Sequence, residues 1–194
     1  EQVIDHNPID AIIFEDYDKG LFSKDLIEEM ISFAQKKNIF IAVDPKKRNF
    51  NNYQNVNLFK PNMKELSAGL NLEDNVALTL DNINALVKKF ANEKNIDKVL
   101  ITMSDKGMAF YDRLTDQFYH QNAFTRRVSD PSGAGDTVIS VSTLFLWAKE
   151  SIEMTCLASN LAGGLVCEYV GVVPINTAQL KAEILKNQSR ESES

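Results

Sequence analysis

The chain has 194 residues, enough for one domain or slightly more, and its 44% hydrophobic and 25% charged residues match an ordinary globular protein. A formal net charge of −6 with no basic stripe argues against nucleic acid as the partner. An acidic chain that binds an anion must then gather positive charge locally or recruit a metal ion. The apolar runs are too short or too interrupted to span a membrane and no stretch reads as a secretory signal, so a cytoplasmic setting is expected.

In chain order, Asp10–Phe14 is an apolar run suited to a buried parallel strand. Ser23 is placed to cap a helix whose Leu26, Ile27, Met30, Ile31 and Ala34 share one face. A second strand spans Ile39–Val43 and ends at Asp44-Pro45, and Leu58–Lys60 is a third. Helices are predicted from Asn62 to Ala68 and from Asp81 to Glu93. Lys98–Thr102 is a fourth strand, and Gly107–Asp112 with Gln117–Ala123 reads as an antiparallel hairpin. Helices over Gly133–Ala148, Met154–Tyr169 and Thr177–Asn187 complete the chain, with residues 188–194 a polar, frayed tail. Alternating strands and helices predict an α/β fold, a mostly parallel sheet with helices on both faces. Ligands of such sheets bind beyond the carboxyl ends of the strands. The two cysteines, Cys156 and Cys167, fit no metal spacing and are expected to be buried free thiols. His6 and His120 lack partners at ligand spacing and receive no role.

Chemistry is densest in Asp130-Pro131-Ser132-Gly133-Ala134-Gly135-Asp136-Thr137, ahead of the apolar run Val138–Trp147. Small residues opening a helix leave backbone N–H groups pointing outward at its positive end, a seat for a phosphate. Glycine, serine and aspartate are also common at any helix start. A carboxylate at an anion seat makes sense as a base that takes a proton from a hydroxyl attacking a phosphoryl group, which assigns Asp136 that role and Gly133, Ala134 and Gly135 the anion hole. Asn62 and Glu65, three apart at a helix start, form either a capping box or an oxygen pair that holds Mg²⁺ through its waters. Thr102, Ser104 and Gly107 lie on a polar turn after a strand, where hydroxyls and a glycine can approach a nucleotide. Asn160 sits among the small residues Ala158–Gly164 of a helix, which serve close packing or face a base.

The octapeptide resembles the signature of the ribokinase-like (PfkB) sugar kinases, whose Gly-Ala-Gly-Asp carries the anion hole and the catalytic base. Pro131 stands where that signature has threonine. The resemblance runs from Ile9 to Ala178 and covers only the carboxyl-terminal part of a family member, so residues 1–187 are expected to be part of one kinase domain whose N-terminal portion is absent. Such a cut sheet exposes an edge, and self-association is expected. The resemblance implies an enzyme that uses ATP and Mg²⁺ to phosphorylate a sugar or sugar phosphate. It gives Asn62 and Glu65 to the metal, Thr102, Ser104, Gly107 and Asn160 to the nucleotide, and an adenine wall to the Gly171–Pro174 loop.

The segments Asp16-Tyr17-Asp18-Lys19-Gly20 and Asp44-Pro45-Lys46 are similar to loops of the heptose-7-phosphate kinases. Lys19 and Lys46 would supply cations for a phosphorylated sugar. Ribose, fructose and fructose 1-phosphate stay open as acceptors, and a homodimer stays open as the assembly. A non-catalytic nucleotide-binding module and a flavodoxin-like binding domain, with Asp16 and Asp44 as an acidic patch, are the other readings.

Overall fold

The computed structural model describes residues 8–73, 77–124 and 126–191. His6 therefore lies outside the described residues. The chain divides into two compact units, one of residues up to 103 with 109–120, the other of 104–108 with 121 onward.

The first unit is built on a sheet. Its strands are β1 (Ala11–Glu15), β2 (Phe40–Asp44), β3 (Leu58–Phe59), β4 (Lys98–Thr102), β5 (Met108–Asp112) and β6 (Gln117–Gln121). They are hydrogen-bonded in chain order, β1-β2-β3-β4-β5-β6. β1 to β4 are parallel, in a register that sets Glu15 beside Asp44 and Val43 beside Phe59. The connections from β4 to β5 and from β5 to β6 are too short for a parallel crossover, so these strands close the sheet antiparallel.

Helix α1 (Lys24–Lys36) joins β1 to β2, while α2 (Met63–Gly69) and α3 (Leu80–Lys94) join β3 to β4. Right-handed crossovers between strands laid down in one direction carry their helices to one face. Ile27, Ile31 and Ala34 of α1 and Ile83, Val87, Phe90 and Ala91 of α3 accordingly share one core with Val43, Phe59, Val99 and Ile101. On the other face of the same strands Ala42, Leu58, Leu100 and Phe110 are also buried, the two-sided burial of a parallel sheet. Gly69 is a packing requirement of this unit, because a Cβ there would come within 2.2 Å of the Phe50 ring.

The second unit holds α4 (Ala134–Trp147), α5 (Ile152–Val166) and α6 (Thr177–Glu191). Val141, Leu157, Leu161, Leu165 and Leu180 form its core. A Cβ on Gly163 would lie 2.8 Å from Val138, so that glycine is what lets α4 and α5 approach. Arg126 ties the end of α5 to α6, with its guanidinium on Glu168 at 2.9 Å and Glu183 at 3.0 Å.

Several boundaries differ from the sequence reading for local reasons. β2 runs one residue further, to Asp44. α5 starts two residues earlier because the Ser151 hydroxyl accepts from the Met154 N–H. α6 continues to Glu191, four residues past the expected end at Asn187, and residues 192–194 of the expected tail lie outside the described residues. Both cysteines are buried free thiols, and burial, with Glu153 nearby, pushes the Cys156 thiol up to about 12. No helix among the described residues is long and apolar enough to cross a membrane.

Candidate active site

In the sheet unit the predicted residues gather at the carboxyl ends of the parallel strands. Asp16 follows β1 and is buried. Its carboxylate accepts from Asn49 Nδ2 at 3.0 Å, from the Tyr53 hydroxyl at 3.1 Å and from the Asp18 N–H at 2.9 Å. Burial, with the charge of Asp16, holds the Tyr53 hydroxyl well above its ordinary range. Asp16 is thus a satisfied acceptor that fixes the loop after β1. Lys19, on that loop, is exposed, while Arg48 reaches back to Asp18 at 2.8 Å.

Asp44 ends β2 between the cations Lys60 and Lys46, with the Glu15 carboxylate within 4.8 Å of its own. Its Oδ2 pairs with Lys60 Nζ at 2.9 Å, on a lysine side chain only 3% exposed. Its Oδ1 is buried without a hydrogen-bond partner, 4.0 Å from Lys46 Nζ. Burial is the largest influence on this carboxyl and raises its pKa, against the opposing pull of Lys60 and Lys46. Lys46 donates to Glu65 Oε1. Burial disfavours its charge, but the Glu65 hydrogen bond and the Asp44 carboxylate outweigh that and raise the Lys46 pKa.

Asn62 and Glu65 form a complete capping box on α2: Asn62 Oδ1 accepts from the Glu65 N–H and Glu65 Oε2 from the Asn62 N–H, each at 2.9 Å. Asn62 also bridges Thr102 in parallel fashion, and the Thr102 N–H donates to the Pro61 carbonyl at 3.1 Å. The Asn-x-x-Glu motif, Thr102 and Lys46 are therefore brought together. Capping and cation binding are compatible, since each oxygen of a carboxylate has two acceptor positions. The all-oxygen donor set of Asn62, Glu65 and the unpartnered Asp44 Oδ1 fits a hard cation such as Mg²⁺.

In the second unit the signature opens α4. The Ala134 N–H donates to the Pro131 carbonyl at 3.2 Å, and Gly133, with φ 78° and ψ −2°, has the geometry of the third residue of a type II turn. Proline is suited to that position because the turn needs only its carbonyl. The bond also occupies the Ala134 N–H, one of the three donors given to the anion hole. α4 begins with no side-chain cap, whereas Ser23, Asn62, Thr79 and Ser151 cap the helices that follow them. Asp136 lies in the first turn, half-buried.

Asp130 braces this segment. Its Oδ1 accepts from the Ser132 N–H and its Oδ2 from the Gly171 N–H, both at 2.9 Å. Hydrogen bonds from Ser132, with the Gly171 amide adding to them, hold the Asp130 carboxyl below the usual carboxylate range. A Cβ on Gly133 would come within 3.0 Å of Val172, so the signature and the loop after α5 lie directly against each other.

Ser104 opens a short 3₁₀ turn, Ser104–Lys106, with φ 56°, and its carbonyl accepts from the Gly107 N–H at 3.0 Å. Asn160, nearly buried on α5, donates its side-chain amide to the Asn122 carbonyl at 2.9 Å, a bond within the second unit.

Sequence reasoning missed Lys60 and Asp130. A lysine inside the apolar run Leu58-Phe59-Lys60-Pro61 was the available signal for the first, because buried lysines are rare unless paired. The second heads the octapeptide and its Asx turn onto the Ser132 N–H is local, but its bond to Gly171, 41 residues away, had no signal.

The family described as pfkB family carbohydrate kinase matches residues 15–178. Among curated proteins, the Bifunctional protein HldE of Desulfatibacillum aliphaticivorans is 34% identical over 175 residues, 90% of this chain and 35% of that protein. The Bifunctional protein HldE of Haemophilus influenzae (strain PittEE) is 34% identical over 174 residues, with the same 90% and 35% coverage. The chain thus spans about a third of the length of these relatives.

Among solved structures, phosphofructokinase-2 from Escherichia coli in complex with potassium superposes with a TM-score of 0.74 at 22% identity, over 85% of this chain and 53% of that one. Arabidopsis thaliana ribokinase complexed with ribose and ATP gives 0.70 at 17% identity, over 84% and 53%. The fold is therefore the ribokinase-like α/β fold.

Proposed function

The chain belongs to the pfkB family of carbohydrate kinases, and from that premise we propose that it transfers the γ-phosphoryl group of ATP to a hydroxyl of a sugar or sugar phosphate. The supporting observation is the start of α4, a helix N-terminus with no side-chain cap, opened by a glycine turn and carrying Asp136 in its first turn. Asp136 takes the proton of the acceptor hydroxyl. The oxygen attacks the γ-phosphorus as the bond to the bridging oxygen breaks, and ADP departs with that electron pair. The N–H groups of Gly133, Ala134 and Gly135 face the developing charge, and Ala134 has to exchange its Pro131 partner for it.

Asn62 and Glu65, with Asp44, hold Mg²⁺, which when bound offsets the charge of the nucleotide phosphates. Thr102, Ser104, Gly107 and Asn160 position the nucleotide, and Lys19 and Lys46 meet an anionic acceptor. Heptose 7-phosphate is the acceptor we favour, on the resemblance of the loops at Asp16–Gly20 and Asp44–Lys46. A cytoplasmic enzyme, as a monomer or a homodimer, is the setting that goes with this reading.

The test is ATP consumption with Mg²⁺ over heptose 7-phosphate, ribose, fructose and fructose 1-phosphate. Removing a general base typically costs about 10²–10⁴-fold, so Asp136→Asn is expected to lower kcat by that much with a smaller effect on ATP binding. An Asp136→Asn chain with full turnover would remove Asp136 from the mechanism. A second reading, a nucleotide-binding module without turnover, is favoured by the Ala134 N–H, which is bonded to the Pro131 carbonyl and so is not open to a phosphoryl group. ATP binding with no turnover on any acceptor would select it.

A further inference from the structure

Resting on the cation site just proposed, we infer that Lys46 is a stand-in cation: its ammonium occupies the place of the divalent ion beside Asp44 and Glu65, and it leaves when that ion binds. The ammonium is hydrogen-bonded to Glu65 Oε1 and lies 4.0 Å from Asp44 Oδ1. That Asp44 oxygen is buried and accepts no hydrogen bond, a costly state for a carboxylate and one that a closer cation would relieve.

Lys60 is not that cation, because its Nζ is committed to Asp44 Oδ2 at 2.9 Å on a side chain 3% exposed. Lys46 differs on both counts. Its side chain is 36% exposed, and its flexible four-carbon stem has solvent to move into. Glu65 does not depend on it for its orientation, since the Asn62 N–H holds Oε2 at 2.9 Å.

A cation seated between Asp44 Oδ1 and Glu65 Oε1 would meet the Lys46 ammonium, which is bonded to the second oxygen and 4.0 Å from the first, so like charge opposes their joint occupancy. Ion and ammonium therefore compete for the same two carboxylates. Metal binding converts Lys46 from the partner of an internal ion pair into a solvent-facing donor, free for the anionic acceptor.

Mn²⁺ binding, read from the electron paramagnetic resonance of the free ion with no nucleotide or sugar present, tests this without asking for turnover. Lys46→Met is expected to tighten Mn²⁺ binding about tenfold, because a unit positive charge beside the ion is removed. Lys46→Arg, which keeps the charge, should bind no tighter than the parent. Adding Glu65→Gln to Lys46→Met should cancel the gain. In the parent chain, acetylation of Lys46 by an N-hydroxysuccinimide ester, followed by mass spectrometry of its peptide, should rise with Mg²⁺.

A folded Lys46→Met chain that binds Mn²⁺ no better than the parent overturns the inference. So does a Lys46 whose reactivity ignores Mg²⁺, or the absence of Mn²⁺ binding from every variant. Because no ATP or acceptor enters, these outcomes are separable from failure of the phosphoryl-transfer assay.

Discussion

Position 107 is held to glycine for two independent reasons. Its φ is 85°, a left-handed backbone that side chains rarely adopt, and a Cβ there would lie 1.9 Å from the Gln121 carbonyl oxygen, within the same unit. The resemblance assigned Gly107 to the nucleotide, but the structure supplies a packing reason that holds with or without a ligand. Gly107→Ala is expected to lower stability by at least about 1–2 kcal/mol from the backbone alone, with the backbone collision adding to it. Urea unfolding measures this, and an alanine variant as stable as the parent would mean that the turn is free to move off the Gln121 carbonyl. Asn62 and Glu65 are a similar case, since the capping box accounts for their spacing before any metal is invoked. Their proximity to Lys46 and Asp44 is what the spacing could not disclose.

Among the elements, α4 is unlike the helices with serine, threonine or asparagine at their starts. Its first turn is shaped by Pro131 and Gly133 and braced from outside by Asp130, whose two oxygens hold the Ser132 and Gly171 amides. Asparagine at 130 offers one acceptor oxygen where aspartate offers two charged ones. Asp130→Asn is therefore expected to speed hydrogen exchange at the Gly171 amide relative to amides in the middle of α5. Equal protection in both chains would show that the bond contributes nothing to the order of that loop. The pH dependence has a definite sign. The folded-state pKa of Asp130 is lowered, so its contribution is present above the ordinary carboxylate range and is lost as pH falls through the lowered value. The Gly171 amide resonance should move with that titration, below the range of an unperturbed carboxyl.

At the level of the whole molecule, the sheet is laid down in chain order, and among the described residues β1 pairs with β2 alone. Its Ala11-Ile12-Ile13-Phe14 run is apolar, and an unpaired apolar edge is a template for another chain. Light scattering on a sizing column is expected to show mass rising with concentration, and lysine at Ile12 should suppress it. A parent chain that stays monomeric throughout the accessible range would remove the edge as an association site. The two units have separate cores, one of sheet and crossover helices and one of α4 to α6, so such association through β1 involves the first.

The strands, the helices and the signature at the start of α4 were legible in the order of amino acids alone. These depend on apolar periodicity, capping side chains and the conformational freedom of glycine, all of which act within a few residues. It also marked Asn62, Glu65 and Asp136 as chemically significant, though it left the capping and metal readings of the first two side by side. That Lys46 sits on Glu65, that Lys60 is buried against Asp44 and that Asp130 holds Gly171 became visible only with the chain folded. These contacts join residues 16 to 41 positions apart in the chain. Their partners are chosen by strand order and burial, where low dielectric makes an unpaired charge costly, and no local pattern encodes that choice.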